Sequence, residues 1–416
     1  MDTSLSFKAK GSNAPIKSDV RLKLLTGLLC IGSLCNIPTA FAAPTPGAEV
    51  VQLRQTSCGT NTDCFTDINA LLDWTWNVRM PTSTTPLLID AGPGTFQITR
   101  TYCISGGNVT LRGSGRNNTT ITATSNNALG AVSIDTCTNL SFQDLTISSG
   151  AGVFATVFWN GGGNSSWNNV TLASSSYAWY DANNGSGCSP ALAGTHNFVG
   201  STLVVNNASV SNSAVYRTEC GDTSFWGSTL VQNFSQSTLP GPLLGIQASS
   251  AGGMVHLYGS NVKILSKASS VTQATQLIGL QTDGNGAVIH IHGGEVSVRS
   301  QGTAPVSVVG ANSVGSNSLV HGHQNNWGLL SSGGGTATRL AVSSAGSAQA
   351  PFEWTPGTQP PGIISLDGQD RFVETDCPQT GGCQTVGTFP HTMIYRSSCT
   401  TSGPWFDTVT NQCRGM

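Results

Sequence analysis

The sequence predicts an all-β protein folded as a right-handed parallel β-helix, a solenoid whose stacked coils each contribute short strands. Beyond residue 74, apolar and β-branched residues alternate in short runs that Gly, Asn and Ser interrupt, which is the pattern of strands and turns. Segments recur with a period of about thirty residues, and two of the gaps between cysteines match that period. Because one repeat of this size cannot bury its own apolar face, the repeats must stack to form a continuous core.

Two separate sets of residues define the register of the repeat. Residues 244–247 (Leu-Gly-Ile-Gln) recur as 278–281 and as 309–312, at offsets of 34 and 31. A histidine stands eleven residues after the glycine of each segment: His256, His290 and His321. Upstream, matching segments begin at spacings of 27 and 32 residues: Phe198, Phe225 and Leu257. The period is therefore elastic, as expected where strands stay in register and the loops between them vary in length.

The first 42 residues have the form of an export signal. Basic residues between Lys8 and Lys23 precede an apolar stretch, Leu24 to Ile37, and Ala40-Phe41-Ala42 forms an A-x-A cleavage site. The stretch is too short for a stable membrane anchor. We therefore expect a mature chain that is secreted or held at the cell surface or in the periplasm, with no membrane span once the signal is removed.

The composition of the mature chain limits its partners. Only 9% of all residues are charged, and removal of the signal leaves a formal charge of −5 with no basic stripe. Nucleic acid is a poor candidate partner, because binding its phosphates requires clustered Lys and Arg. Strongly anionic glycans are disfavoured for the same reason. An extracellular glycan or a cell surface is the expected partner.

Ten of the twelve cysteines follow the signal, which permits five disulfides in an oxidising compartment. Sequence alone does not fix their connectivity, but the spacing favours a local scheme: Cys58 with Cys64, Cys103 with Cys137, Cys188 with Cys220, Cys377 with Cys383, and Cys399 with Cys413. The gaps of 34 and 32 residues equal about one coil, so two of these bonds would each join neighbouring coils.

The mature chain divides into two parts. Residues 43–350 carry the repeats and begin with one short helix, in which apolar residues at helical spacing follow an N-cap at Thr66 or Asp67. This helix is placed to cover the open end of the solenoid, where strand edges would otherwise be unpaired. Residues 351–416 are rich in Pro, Cys and aromatic residues, which predicts a disulfide-rich C-terminal cap or a small separate module.

Residues 65–150 resemble the start of the pectin-lyase-like right-handed parallel β-helix superfamily. The segments that carry the resemblance are the short helix, Ile89–Phe96, Val109–Gly115 and Thr119–Thr122. It implies the fold and, for an enzyme, a polysaccharide lyase or a glycoside hydrolase. The same superfamily contains tailspike-like proteins and inert adhesins, so the fold alone does not assign an activity. No calcium site is evident, since no Asp-rich pair of segments falls on successive coils.

The strongest candidate for a catalytic site is a set of acidic residues made up of Asp181 and the segment 216–222, which is expected one coil further on. It contains the carboxylates of Asp181, Glu219 and Asp222 and the guanidinium of Arg217. Two such carboxylates are suited to the acid and base roles of a glycosidase. The alternative is a solvated turn beside a disulfide.

Four histidines form a candidate metal site. Because strand side chains alternate between faces, His290 and His292 share one face, and His321 and His323 repeat this spacing on the next coil. Imidazoles on adjacent coils are suited to binding Zn²⁺ or Cu²⁺. The alternative is an outward ladder of polar rings without a metal. No other cofactor is indicated.

An outward column of aromatic residues is the candidate carbohydrate-binding face. The position before the turn glycine is occupied in successive coils by Val199, Trp226, Tyr258 and His292, and Trp159 is expected to extend the column. Such rings stack on sugars, and the alternative is packing beneath a loop.

Together these features predict an exported β-helix protein that binds or processes extracellular polysaccharide along its flank. Two alternatives stay open. One is a surface adhesin or structural protein without catalysis, and the other is a metal-dependent enzyme at the histidines.

Overall fold

The computed structural model describes residues 49–123, 130–182, 193–249, 253–273, 275–315 and 318–331, and the backbone of short strands between 337 and 414. The predicted export signal lies outside the described residues. So do five of the cysteines in the predicted pairs: Cys188, Cys377, Cys383, Cys399 and the side chain of Cys413.

Short strands dominate the described chain, together with helix α1 (Ile68–Trp74) and a π-helical turn at Thr75–Arg79. In chain order the first strands are β1 (Val50–Leu53), β2 (Cys64–Phe65), β3 (Leu87–Ala91), β4 (Gly94–Ile98), β5 (Cys103–Arg112), β6 (Thr119–Ala123), β7 (Gly130–Gln143), β8 (Thr146–Ser149), β9 (Ala155–Asn160), β10 (Asn164–Asn168), β11 (Thr171–Ser174), β12 (Tyr177–Ala182), β13 (Thr195–Val199), β14 (Thr202–Asn206), β15 (Ser213–Thr218), β16 (Asp222–Trp226), β17 (Thr229–Phe234) and β18 (Thr238–Leu239). The others are β19 (Leu243–Ala248), β20 (Met254–Tyr258), β21 (Asn261–Ser266), β22 (Ser270–Val271), β23 (Gln276–Thr282), β24 (Val288–His292), β25 (Glu295–Ser300), β26 (Ser307–Ser313), β27 (Leu319–His323), β28 (Asn326–Ser331), β29 (Ala337–Val342), β30 (Ile363–Leu366), β31 (Arg371–Phe372), β32 (Val386–Thr388), β33 (Met393–Tyr395), β34 (Trp405–Asp407) and β35 (Gln412–Arg414).

The strands stack in parallel, each pairing with its equivalent one coil earlier and one coil later. Three faces result. The first sheet contains β10, β13, β16, β20, β24 and β27, and the second contains β9, β12, β15, β19, β23 and β26. The third contains β8, β11, β14, β17, β21, β25 and β28. The long strands β5 and β7 join the first two sheets. This is the right-handed parallel β-helix that the repeats and the resemblance predict.

Helix α1 stands at the N-terminal end of the solenoid. Its N-cap is Asp67, whose carboxylate accepts a hydrogen bond from the backbone N–H of Asn69. The apolar side of the helix is buried: Ile68, Leu71, Leu72 and Trp74. The cap therefore forms because the helical spacing of these residues provides one face that covers the core. No helix among the described residues is long and apolar enough to cross a membrane.

The core is built from stacked side chains, as expected when equivalent positions lie about 4.8 Å apart along the axis. Phe142 stacks on Trp167 with ring centroids 4.0 Å apart, and Phe198 stacks on Phe225 at 4.7 Å. All four rings are fully buried. The alternating apolar pattern thus places one aromatic ladder inside the solenoid.

The recurrent glycine of residues 244–247 marks a narrow part of the solenoid. Leu244, Ile278 and Val309 are register partners, as the repeat predicts. A Cβ atom on Gly245 would collide with the Val262 side chain, which comes from the third sheet. Glycine recurs in this column because the second and third sheets approach too closely for a side chain.

A short turn joins the first sheet to the third in each coil. Gly227 lies in this turn with φ +56°, a left-handed conformation that glycine adopts without strain. Buried serines follow this turn in successive coils. The backbone N–H of Ser201 donates to the Ser228 hydroxyl, and the backbone N–H of Ser228 donates to the Ser260 hydroxyl. These hydroxyls hold neighbouring turns together and fix the end of the first-sheet strands.

Two of the disulfide pairs expected from the spacing are present, Cys58–Cys64 and Cys103–Cys137. The second joins β5 to β7 and therefore links neighbouring coils. Cys220 is also disulfide-bonded, and its expected partner is outside the described residues.

Parallel stacking extends one coil beyond the expected boundary at residue 350. Strand β30 pairs with β27, and β31 pairs with β28. Antiparallel pairing follows, with β33 against β30, then β34 and β35. The change from parallel to antiparallel pairing marks the end of the coils.

Candidate functional site

The outer face of the first sheet carries two columns of side chains in the predicted register. The aromatic column consists of Val199, Trp226, Tyr258, His292 and His323. The histidine column lies two residues earlier on the same strands and consists of His256, His290 and His321. The alternation of strand side chains places both columns outside the core, next to each other.

The rings of the aromatic column stack face to face. Trp226 and Tyr258 have centroids 4.0 Å apart and planes 17° apart, and Tyr258 and His292 have centroids 5.5 Å apart and planes 9° apart. Trp226 is the first ring of the stack and is 47% exposed. On its other side the register partner is Val199, which is too short to cover an indole. Trp226 therefore has one ring face covered by Tyr258 and one turned towards Val199.

An open groove lies on the same face, in the coils that precede Trp226. Its volume is about 310 Å³. Its lining is Asn139, Leu140, Ser141, Asn164, Ser165, Ser166 and Asn197. These side chains offer amides and hydroxyls, and none is charged. The sequence reasoning missed this groove, although the alternation Asn164-Ser-Ser-Trp-Asn168 signals a strand with an uncharged polar outer face.

Trp159 does not extend the aromatic column, and that expectation is wrong. It lies in the second sheet, where its register partners are Ile134 and Asp181. Its side chain is fully buried, stacks on Trp179 at 5.8 Å and donates Nε1–H to the Gly161 carbonyl. A ring with no exposed surface cannot stack on a sugar.

The four histidines of the candidate metal site are brought together on adjacent strands. Ring centroids are 5.6 Å apart for His290 and His321 and 5.8 Å apart for His292 and His323. Burial, together with the neighbouring imidazoles, lowers the pKa of His290 to about 4, and burial likewise lowers that of His292. Among the described residues, no three His, Cys, Asp or Glu side chains converge as a metal site requires.

The four residues of the candidate catalytic group are divided between two faces. Asp222 belongs to the first sheet, where its Oδ1 lies 3.4 Å from Nε2 of His256. Glu219 belongs to the second, where its Oε1 accepts hydrogen bonds from the Tyr180 hydroxyl at 3.2 Å and from the Arg217 guanidinium at 3.1 Å.

Arg217 and Tyr180 form the remaining part of the second-sheet cluster. The Arg217 guanidinium lies over the Tyr180 ring, 5.0 Å from its centroid. Burial, opposed by the charge of Arg217, raises the pKa of Tyr180 to about 12. Phe154 packs edge-on against Tyr180 and is 36% exposed. The cluster therefore fixes the Glu219 side chain beside a partly exposed aromatic surface.

Asp181 faces the interior, because it lies two residues after the buried Trp179 on the same strand. It is 3% exposed and accepts a hydrogen bond from the Thr218 hydroxyl at 3.1 Å. Burial raises the pKa of Asp181 well above the usual value for an aspartate. The expectation that it acts on a substrate with Glu219 and Asp222 is not met by this geometry, since a substrate has no access to the carboxyl group.

No protein-family model matches the sequence, and no curated protein matches it either. Solved structures with a similar chain path include the pectate lyase Pel9A, which is 12% identical with a TM-score of 0.39. The match covers 84% of this chain and 98% of the Pel9A chain. A pectin methylesterase from Aspergillus niger is 13% identical with a TM-score of 0.37, covering 76% and 93%. The pectin methylesterase PemA from Erwinia chrysanthemi is 12% identical with a TM-score of 0.32, covering 72% and 90%. These activities belong to the proteins named.

Proposed function

We propose that the protein binds a neutral extracellular polysaccharide on the outer face of the first sheet. One observation carries the proposal: a half-exposed indole, Trp226, lies on the same sheet face as an open groove lined by amides and hydroxyls, whose nearest lining residue, Asn197, is two positions before Val199 on the preceding strand. An aromatic face next to a few convergent polar groups is the usual composition of a sugar site, because sugar rings present apolar C–H faces and polar edges.

The charge of this surface favours a neutral ligand. The groove residues carry no charge, and Asp222, which lies two strands beyond Asn164 in the same column, is beside His256. The cation at the edge of this face, Arg116, already donates hydrogen bonds to the Gly200 carbonyl at 3.4 Å and to the Thr202 hydroxyl at 3.2 Å. The lowered pKa values of His290 and His292 favour their uncharged forms at neutral pH. A neutral glycan needs only the hydrogen bonds and the stacking that the face provides.

Export of the chain is part of the proposal. The A-x-A site at residues 40–42 is the feature that supports it, and the buried Cys103–Cys137 bond fits an oxidising compartment. Mass spectrometry of the N-terminus of the mature protein tests it. A mature chain that begins at Ala43 is expected, and an intact N-terminus would contradict it.

Retention on immobilised neutral polysaccharides tests the binding function. We expect Trp226→Ala to reduce retention by about tenfold, the effect of losing one aromatic contact of about 1.4 kcal/mol. The matched control is Phe154→Ala, which removes a partly exposed aromatic side chain from the second sheet. Equal retention of the wild type and Trp226→Ala would contradict the proposal. No retention on any glycan would favour the structural or adhesive alternative.

Processing of the glycan is a second candidate function, favoured by the fixed position of Glu219 between Tyr180 and Arg217. The assay is the release of reducing ends from the same neutral polysaccharides. Glu219→Gln keeps the side-chain volume and removes the charge, so it is expected to abolish product formation without loss of binding. Unchanged turnover would remove Glu219 from this role.

A further inference from the structure

We infer that the first-sheet site receives the end of a glycan chain, with the terminal sugar stacked on the free face of Trp226. This inference rests on the proposed binding function and adds the part of the polysaccharide that is recognised. It follows from the direction in which the indole faces.

The spacing of the stack fixes that direction. Neighbouring strands lie about 4.8 Å apart, and the Trp226 and Tyr258 centroids are 4.0 Å apart with planes only 17° apart. Rings this close on successive strands must stack along the column, so the indole plane stands across the axis of the solenoid. Trp226 therefore projects from the sheet as a wall and does not lie flat as a platform.

The stack behind Trp226 closes one end of the exposed strip that Asn168 and Val199 form beside the groove. Tyr258 and then His292 support the indole from the far side. A glycan that runs along this strip reaches the free indole face and cannot continue along the same line through the stacked rings. A platform for the middle of a chain would instead present rings parallel to the sheet surface.

The space before the wall has the dimensions of a short binding site. It extends over the strands β7, β10 and β13, which is about 14 Å from the first rung to Trp226. Its outer residues are exposed and uncharged: Ser166, Asn168, Asn197 and the 45% exposed Val199. Val199 lies directly before the free indole face, so the terminal sugar would rest on its methyl groups, with the Asn197 amide at its edge.

Binding of neutral gluco-, manno- and galacto-oligosaccharides of increasing length tests the inference by calorimetry. End recognition predicts that affinity per chain reaches a plateau once the groove is filled, with one protein bound per chain. A cyclic glucan has no end, so it is expected to bind at least tenfold more weakly than the linear glucan of the same linkage and length. Equal affinity of the two, or several proteins bound along one chain, would overturn end recognition.

Val199→Trp provides a variant test. A second indole at this position would cover the free face of Trp226, and we expect the affinity for linear oligosaccharides to fall by about tenfold or more. The control, Asn206→Trp, adds the same side chain to an exposed position on the third sheet. Circular dichroism verifies that both variants are folded. Unchanged affinity in Val199→Trp would also overturn the inference.

Failure of the inference is distinguishable from failure of the proposed function. If linear and cyclic glycans bind equally and Trp226→Ala weakens both, the binding site stands and end recognition is wrong. If no oligosaccharide binds and Trp226→Ala changes nothing, the binding function itself is wrong.

Discussion

Gly279 and Val296 approach each other across the interior so closely that a Cβ atom on the glycine would lie 2.6 Å from the valine Cγ1. The carbonyl oxygen of Gly310 would be equally near, at 2.6 Å. No real side chain tolerates these distances, so the second sheet depends on glycine in this column. The glycine that recurs in the sequence at Gly245 and Gly279 is therefore required by the packing of the second sheet against the third.

We expect Gly279→Ala to lower the free energy of unfolding by about 2 kcal/mol, within the range for overpacked cores. Urea denaturation followed by tryptophan fluorescence measures this. The double variant with Val296→Ala is expected to lose less than the sum of the two single losses, because the smaller side chain relieves the contact with the new Cβ and leaves the carbonyl contact in place. Strictly additive losses in the double variant would contradict the proposed contact.

His196 makes the stability depend on pH. It is fully buried, its Nδ1 is hydrogen-bonded to the Ser165 hydroxyl at 2.8 Å, and burial lowers its pKa to about 3. In the folded state His196 therefore binds a proton only at a lower pH than in the unfolded chain, where histidine titrates near pH 6.5. The stabilisation is complete above about pH 6.5 and is lost as the pH falls towards 3.

We expect the free energy of unfolding to fall by several kcal/mol between about pH 6.5 and 3, at about 1.4 kcal/mol per pKa unit. Chemical denaturation at a series of pH values measures it. His196→Gln removes the titrating group and is expected to flatten the profile, even if it lowers stability at pH 7. A profile of unchanged slope in His196→Gln would assign the acid sensitivity to other groups.

The register of the coils could be predicted because it repeats, whereas the direction of single side chains depends on which sheet a strand joins. Segments ending at Trp159 and at Trp226 look alike, since each has an aromatic residue beside a glycine or Asn-Gly turn. Only the pairing of β9 with β7 and β12 shows that Trp159 points inward. The inward position of Asp181 was within reach of the sequence, because it shares the parity of Trp179.

The histidine column allows a direct test of the metal-enzyme alternative. The rings of His290 and His292 are neutral at pH 7, so protons do not compete with a metal there. The described side chains nevertheless provide no group of three convergent ligands. We expect protein purified without a histidine tag to contain less than one equivalent of metal by elemental analysis. Stoichiometric zinc or copper that disappears in His290→Gln would restore this alternative.

Substitution of Asp181 tests whether its buried carboxyl group has a structural or a catalytic role. The pKa of its carboxyl group is raised by burial, so in the folded state ionisation is opposed and stability is lost as the pH rises through the folded pKa. Asp181→Asn keeps the acceptor for the Thr218 hydroxyl and removes the ionisable group. We expect it to raise the free energy of unfolding at pH 7 by about 1 kcal/mol or more and to leave glycan binding and any product formation unchanged. Glu219→Gln is the matched comparison, since it alters a carboxylate that is hydrogen-bonded at the surface of the same sheet. Loss of product formation in Asp181→Asn without loss of stability would show that the interior carboxyl group takes part in the chemistry.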